Sequence, residues 1–550
     1  MMTTYLKRKL LIAAGFLMMG KAVLLFAWEP PIGIPRPSFG IEETHQMYAG
    51  QTFAAGGFAY RDAGHGPYTH YVDNSAACSD ANNSGYGSPS EPLCRVPLNL
   101  PEGSVVEIHG SVYTYSNFEG SKLKISGFGT ASNPIFIRGV GGGAQKPRFE
   151  GRQIHIVGAY IIVENLEFYR SDLSIVHRID GAGNQQTVHH VAVRHSELRH
   201  DGLSRGGSAI AVNSSIQDSW VNNIVIYYNQ ISYYGDWQSL TENDALGVSA
   251  STYAEYVWIV DNNIHRLGGD AVRTGTNPAG GITTENTGRY VYIGRNDMHD
   301  NRENALDIKV SRDIVISQNK MHGFRGSSSS EGAAFVVHYN AENIWVLFNE
   351  IYDAVVGAIS TGSQNFSVIG NVFYNISDAA IKFRSTNDAN VFGNTVHNAF
   401  IGVEIESSAN NARVINNIIS DISDTTGYHI LRAGSISEIH HNMLYQTGGS
   451  IRNSGVSTGY VINDPLFVDS ALRNFHLQPG STAIDQGTGA GIVQQALGNF
   501  ATRYGADIAR DIDNTSRPQG NGWDIGAYEF GGGAPPQNNP PAPPKGLRVK

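Results

Sequence analysis

Charge is scarce in this chain. Of 550 residues only 16% are Asp, Glu, Lys or Arg, whereas 41% are hydrophobic and 63 are glycine. That composition excludes a disordered polyelectrolyte and describes a folded, turn-rich protein. Cysteine is nearly absent: Cys78 and Cys94, in CSDANNSGYGSPSEPLC, are the two. No CxxC and no HExxH occurs, so the pair reads as one disulfide and not as a metal or redox centre. Closing a loop of that size is worth roughly 3 kcal/mol in the chain-entropy picture. Long apolar runs are missing beyond the N-terminus, where Lys7-Arg8-Lys9 precedes Leu10–Gly20 and Ala22–Trp28 around Lys21. This reads as a signal peptide over 1–27, with an uncleaved anchor as the alternative. Its removal takes away four positive charges and no acid, so a net charge of −10 becomes −14. Positive charge is then too sparse for nucleic acid or anionic lipid as a partner. The expectation is an exported chain (secreted, periplasmic or at the cell surface) with no membrane segment in its mature form, and a monomer.

What is present is a repeat. Short apolar-alternating runs end in Asn-x-(aliphatic), with anchors at Asn229, Asn262, Asn296, Asn319, Asn349, Asn371, Asn394, Asn416 and Asn442, and with Leu166 and Ser196 in the same place earlier. The shorter spacings cluster at 22–23 residues, and the longer ones hold insertions such as TGTNPAGGITTENTGR (274–289) and FRGSSSSEG (324–332). Apolar spacing of 2 rules out a helical solenoid. Three short strands in about 22 residues is the dimension of a coil in a right-handed parallel β-helix, in which no coil is stable alone and stacking makes the core. The fold expected is therefore all-β: a single parallel β-helix of about 11–14 coils, roughly 55 Å long for eleven coils at ~4.8 Å each. Residues 28–100 are expected to form an N-terminal segment and a disulfide-bearing cap, 101–487 the β-helix, 488–530 a C-terminal strap and 531–550 a Pro/Gly-rich linker and tail. Within 101–487, DPLFVD (464–469) and NFHLQPGSTAIDQG (474–487) are expected to close the stack.

One strand of each coil concentrates chemistry. Its copies are GGSAIAVN, NDALGVSA, GDAVRTG, NALDIKV, AAFVVHY, GAISTGS, AAIKFRS and GVEIESS. Stacked on their small residues, they place Ala209, Ala245, Ala271, Ala305, Ala334, Ala358, Ala380 and Gly402 inward, followed by Ile210, Leu246, Val272, Leu306, Phe335, Ile359, Ile381 and Val403. The outward positions then include Arg273, Asp307, Lys309 and His338 on neighbouring coils, with Asp244, Asp270, Glu303 and Asn304 at the turn beside them. These residues suit β-elimination or epimerisation on a uronic-acid glycan. A cation, Ca²⁺ or Arg273, neutralises the substrate carboxylate, and Lys309 or His338 removes the C5 proton. Asp244, Asp270, Glu303, Asn304 and Asp307 are the candidate Ca²⁺ ligands, as oxygen-rich turns suit that ion. Asp307, Lys382 and Arg384 are candidate substrate contacts. The plain alternative is that Lys309 and Asp307, like Lys382 and Arg384 with Glu404 and Glu406, are surface ladder pairs worth under about 1 kcal/mol.

Over roughly residues 70–530 the coils resemble the secreted right-handed β-helix polysaccharide lyases, such as pectate and alginate lyases. The segments YVDNSAACSD…PLC and DIDNTSRPQGNGWDIGAYEF resemble the start and end segments of bacterial secreted β-helix proteins. In one pectate-lyase branch a D-D-x-x-D pattern binds Ca²⁺; here Glu303, Asn304 and Asp307 occupy that spacing, with Asp270 one coil earlier. That branch carries its lysine base on the following coil, where this sequence has Val336 and His338. Alginate-lyase relatives pair a lysine with an R-H-G run; His338 matches the histidine, but Val337 stands at the arginine. The resemblance implies the fold and an acidic polysaccharide as partner, with a lyase foremost. A glycoside hydrolase using paired carboxylates such as Asp270 and Asp307, a uronate epimerase, and a non-catalytic carbohydrate-binding or structural rod are the alternatives.

Overall fold

The structure is a computed structural model that describes residues 27–531, apart from 76, 82–84, 142–144, 180 and 204. The expected signal peptide and Pro/Gly-rich tail lie outside these residues, save Ala27 and Gly531. The chain winds as a parallel β-helix with three strands per coil. A typical turn runs Ala254–Val260 in sheet A, Asn263–His265 in sheet B and Val272–Thr274 in sheet C, then returns to sheet A at Arg289–Gly294. Sheet A has fourteen consecutive parallel rungs, from His70–Asp73 to Ile436–His440. The winding thus starts inside the segment expected to be a cap. The Cys78–Cys94 disulfide closes a loop beside that first rung. The bore is filled by an unbroken column of aliphatic and Phe side chains, so every coil's core exists only through its neighbours.

The anchor asparagines form a buried ladder. From Asn229 to Asn442 each is at most 3% exposed. The Oδ1 of each accepts the backbone N–H of the preceding anchor at 2.8–3.0 Å, from Ser196 onward, and from Asn229 onward also its Nδ2 at 2.9–3.1 Å. Each Nδ2 also donates to a sheet-A carbonyl of the coil before. The turn needs a side chain with an acceptor and two donors, which a buried Asn supplies. One anchor differs from the repeat pattern: Asn417, and not Asn416, carries the ladder, while the Asn416 side chain faces Thr488.

The register of sheet C corrects the sequence alignment at two coils. Ile210 pairs with Val248 and Phe335 with Ala358. Gly247 and Gly357 therefore take the places expected for Ala245 and Ala358. A Cβ there would meet the next rung's carbonyl oxygen at 2.5 and 2.4 Å, so the small column is enforced by close approach of the backbone. Leu246 and Ile359 consequently stand outward, paired with Ser208 and Lys382.

Two straps lie on the rod. Residues 28–43 run along sheet A, where Trp258 Nε1 donates to the Pro35 carbonyl and Arg194 donates to those of Gly40 and Glu43. Further along, helix α1 (Ile492–Tyr504) packs Phe500 and Tyr504 on Trp345. Phe467–Asp469 pairs antiparallel with Asn474–Leu477, and this hairpin packs Phe475 against Tyr374 and His397 beside sheet B. It lies along the stack and does not close its end.

Replacing a ladder residue removes several buried hydrogen bonds at once. Asn349→Ala should lower stability by about 3 kcal/mol or more, since buried groups of Asn319 and Asn371 lose their partner. Ser377→Ala, at an exposed position of the same rod, should change stability by less than about 0.5 kcal/mol. Denaturant midpoints followed by far-ultraviolet circular dichroism compare the two.

Candidate functional site on sheet C

The outer face of sheet C aligns Ser249, Arg273, Asp307, Val336, Ile359 and Lys382 on successive rungs. Beside this column, and following the same backbone ladder, run Lys309, His338, Thr361 and Arg384. Asp307 is the centre. It is 7% exposed, its carboxylate lies 3.3 Å from Lys309 Nζ and 3.6 Å from His338 Nε2, and its Oδ1 accepts no hydrogen bond. A carboxylate held between an ammonium and an imidazole is more than a solvated ladder pair, because all three groups are turned to one point.

His338 is held from its other side by a hydroxyl. Thr361 Oγ1 donates to the Val337 carbonyl at 3.2 Å and lies 2.8 Å from His338 Nδ1. Thr361 thus fixes the ring at Nδ1, and Nε2 faces Asp307. Burial lowers the His338 pKa, Asp307 opposes the shift and Lys309 adds to it. The imidazole is thus held in the neutral form a general base requires.

Above this trio two loops meet. Arg302, whose side chain is 1% exposed, bridges them. It donates to the Ser239 carbonyl at 3.0 Å, to Ser328 Oγ at 2.8 Å, to Ser329 Oγ at 3.0 Å and to Glu303 Oε1 at 2.7 Å. Glu242 Oε1 lies 3.6 Å away. Burial and the nearby Glu242 raise the Glu303 pKa to about 7, against Ser329 and Arg302. Burial, with Asp307 and Glu303 close by, pushes the Asp270 carboxyl well above the usual range. Asp270 is 1% exposed and accepts from the Asn304 amide at 2.8 Å, and Asn304 Oδ1 in turn accepts from Ser330 Oγ at 3.0 Å.

The sequence-derived residues therefore divide. Asp307, Lys309 and His338 converge. Arg273 stands one rung away, 24% exposed at its side chain, and donates to Asp244 at 3.0 and 3.2 Å. Lys382 and Arg384 are brought to the same face but are already neutralised: Lys382 Nζ lies 2.9 Å from Glu404 and 3.5 Å from Asp378, while Arg384 donates to Glu406 and Glu331 at 2.7 and 2.8 Å.

The residues expected to bind calcium divide as well. Asp270 Oδ1 accepts from Asn304, Asn304 Oδ1 accepts from Ser330, and Asp307 faces Lys309 and His338. Because the register is shifted by two at Leu246, Asp244 lies outside the row it was assigned to. The carboxylates that converge among the described residues are Glu242, Asp244 and Glu303, with ligand atoms within 4.8 Å of one another. Arg302 is paired with Glu303 and lies 3.6 Å from Glu242, and Arg273 is paired with Asp244. Glu242, Arg302, Ser328, Ser329, Ser330 and Thr361 were missed by sequence reading. Their signal was the length of insertions such as 324–332, which marked where a wall would be built but not what it would carry.

A family profile described as "right handed beta helix region" matches residues 280–444, and the right-handed parallel β-helix expected from the repeat is the fold. No curated protein matches the chain. Among solved structures, a PL6-family polysaccharide lyase of Pseudopedobacter saltans is 11% identical, with 66% of this chain and 96% of that chain covered at a TM-score of 0.44. The A-module of a mannuronan C-5 epimerase of Azotobacter vinelandii is 14% identical, with 66% and 91% covered at 0.41. A pectate lyase is 12% identical, with 84% and 96% covered at 0.35. The β-helix is shared by polysaccharide lyases, epimerases and hydrolases, and likeness at this level assigns none of these activities.

The Glu303 pKa carries a stability consequence. A carboxyl raised from 4.5 to about 7 on folding binds its proton more tightly in the native state, so its contribution is present below pH 4.5 and is lost as pH rises through about 7. The melting temperature of the wild type should therefore fall relative to Glu303→Gln between pH 5 and pH 8. Parallel curves over that range would contradict the assignment.

Proposed function

We propose that this protein cleaves a uronic-acid-containing glycan by β-elimination at sheet C. The observation that carries the reading is Asp307 held between Lys309 and His338. Arg273, one rung away and partly exposed, receives the uronate carboxylate by exchanging it for the exposed Asp244, and this withdraws charge from C5. His338 Nε2 takes the C5 proton. The electron pair forms the C4=C5 double bond, the C4–O4 bond breaks, and the leaving O4 receives the proton of the Lys309 ammonium. Asp307 stabilises the imidazolium that forms and holds both groups in position. Lys382 and Arg384 lie about 14 Å from Asp307 at the rung spacing and act as an outlying contact for the chain where a sugar carboxylate displaces Glu404 or Glu406. No step runs through a metal.

The hydrolase reading loses its second carboxylate, since Asp270 is buried and bonded to Asn304. An epimerase would use the same proton removal and return the proton to the opposite face of C5. The disulfide accords with an oxidising compartment, and no helix among the described residues is long and apolar enough to cross a membrane. Export and a glycan substrate follow from this reading together with the glycan-acting neighbours.

Alginate, pectate and glycosaminoglycans incubated with the protein should include one polymer that gains the ultraviolet absorbance of an unsaturated uronide, unchanged by EDTA. Lys309→Ala and His338→Ala should each lower that rate by about 10²-fold or more. The rate should rise with pH along an acid limb below 6.5, the ordinary imidazole value, because burial lowers the His338 pKa. No absorbance on any of these polymers would overturn the lyase reading, and new reducing ends without it would favour hydrolysis.

A further inference from the structure

A second groove lies on sheet A, a different face of the coil from Asp307. It has a volume of about 620 Å³ and runs between α1 and the rungs after Trp345. That volume falls in the range of about 300–1,000 Å³ typical of small-ligand sites. The floor repeats polar side chains in coil register: Ser367 pairs with Asn390 and Asn390 with Arg413. Asn343, Asn365 and Asp388 line the adjoining edge. On the other side α1 presents Gln495 and Asn499, both exposed.

Three features of the groove point to one ligand chemistry. First, its charged side chains are already paired. Arg413 donates to Asp388 Oδ1 at 3.3 Å and to Asn390 Oδ1 at 3.2 Å, and Arg503 donates to Asp313 at 2.7 Å. An ionic ligand would have to displace these pairings, whereas hydroxyl pairs can both donate to and accept from planar amide, carboxylate and guanidinium groups. Second, the rungs repeat at ~4.8 Å, close to the advance of one pyranose in an extended glycan. Third, the indole of Trp345 lines the groove, is 7% exposed, and its Nε1–H has no hydrogen-bond partner. Buried indole N–H groups ordinarily find an acceptor, and a sugar hydroxyl entering beside α1 supplies one after a small shift of the ring.

We propose that this groove is a second, non-catalytic binding site for a short uncharged oligosaccharide segment. It would hold a neutral stretch or branch of a glycan while sheet C engages the uronate. The inference does not depend on the reaction proposed for sheet C. The full chain carrying Lys309→Ala and His338→Ala separates the two, because groove binding should survive when the proposed catalysis is gone.

The test is calorimetric titration of that double variant with gluco-, manno-, galacto- and xylo-oligosaccharides of six units. At least one should bind. Gln495→Trp fills the groove from the exposed side of α1 without removing a contact of the rod. It should weaken binding by about tenfold or more, that is, about 1.4 kcal/mol or more. Arg413→Ala should do the same by disrupting the floor, with circular dichroism confirming that both variants are folded. Failure of all four neutral oligosaccharides to bind, or equal binding by the parent and Gln495→Trp proteins, would overturn the proposal. Oligomers of alginate or pectate binding more tightly than every neutral one, with Gln495→Trp weakening them, would overturn its assignment to uncharged sugars.

Discussion

The structure depends on one turn made the same way coil after coil. A β-helix must bend its chain between sheets A and B without leaving peptide groups unpaired in a dry interior. Here each bend inserts an asparagine whose amide replaces the missing backbone partners and ties each turn to its neighbours along the stack. Each anchor is itself buried, so no member can be lost without stranding the groups of its neighbours. This constraint holds the coils in register, and register is what places Arg273, Asp307 and Val336 on neighbouring rungs from residues more than 25 positions apart in sequence. The rigid ladder on one flank allows the opposite turns to vary in length.

That division explains what the sequence could and could not say. Asn-x-aliphatic at 22–23 residues was readable because the ladder demands it, and it led directly to the coil architecture. Alignment went astray where the pattern was degenerate. Ala-Leu-Gly-Val at 245–248 satisfies a small-then-aliphatic template at two registers, and only the approach of the Ala271 carbonyl to Gly247 decides between them. Ile359 misled for another reason. It faces outward yet is 2% exposed and packs with Val336 and Val356, so burial did not report the strand face. Asn416 and Asn417 offered two anchors, and the strap at Thr488 takes the first.

At the candidate site the strand residues were legible and the wall was not. Asp307, Lys309 and His338 belong to the repeat, and their meeting follows from strand geometry. Glu242 and Arg302 come from turns whose path no periodicity dictates. Their position changes the chemistry: with Arg302 buried beside Glu303 and Arg273 on Asp244, positive charge at this face comes from side chains fixed by the fold. The Glu303 and Asp270 carboxyls are raised by burial in the same small volume, which limits the negative charge at this face. The rod thus carries a compact polar site on sheet C and a polar groove on sheet A, both positioned by the same stack.

The central claim is that sheet C removes the C5 proton of a uronate. Proton NMR of a uronate polymer incubated with the protein in deuterated buffer reads that step directly. The account predicts that the H5 signal of internal residues declines as the vinylic H4 signal of an unsaturated end appears, with neither change in the Lys309→Ala, His338→Ala protein. Cleavage of the polymer with H5 retained at every residue and saturated ends would contradict it.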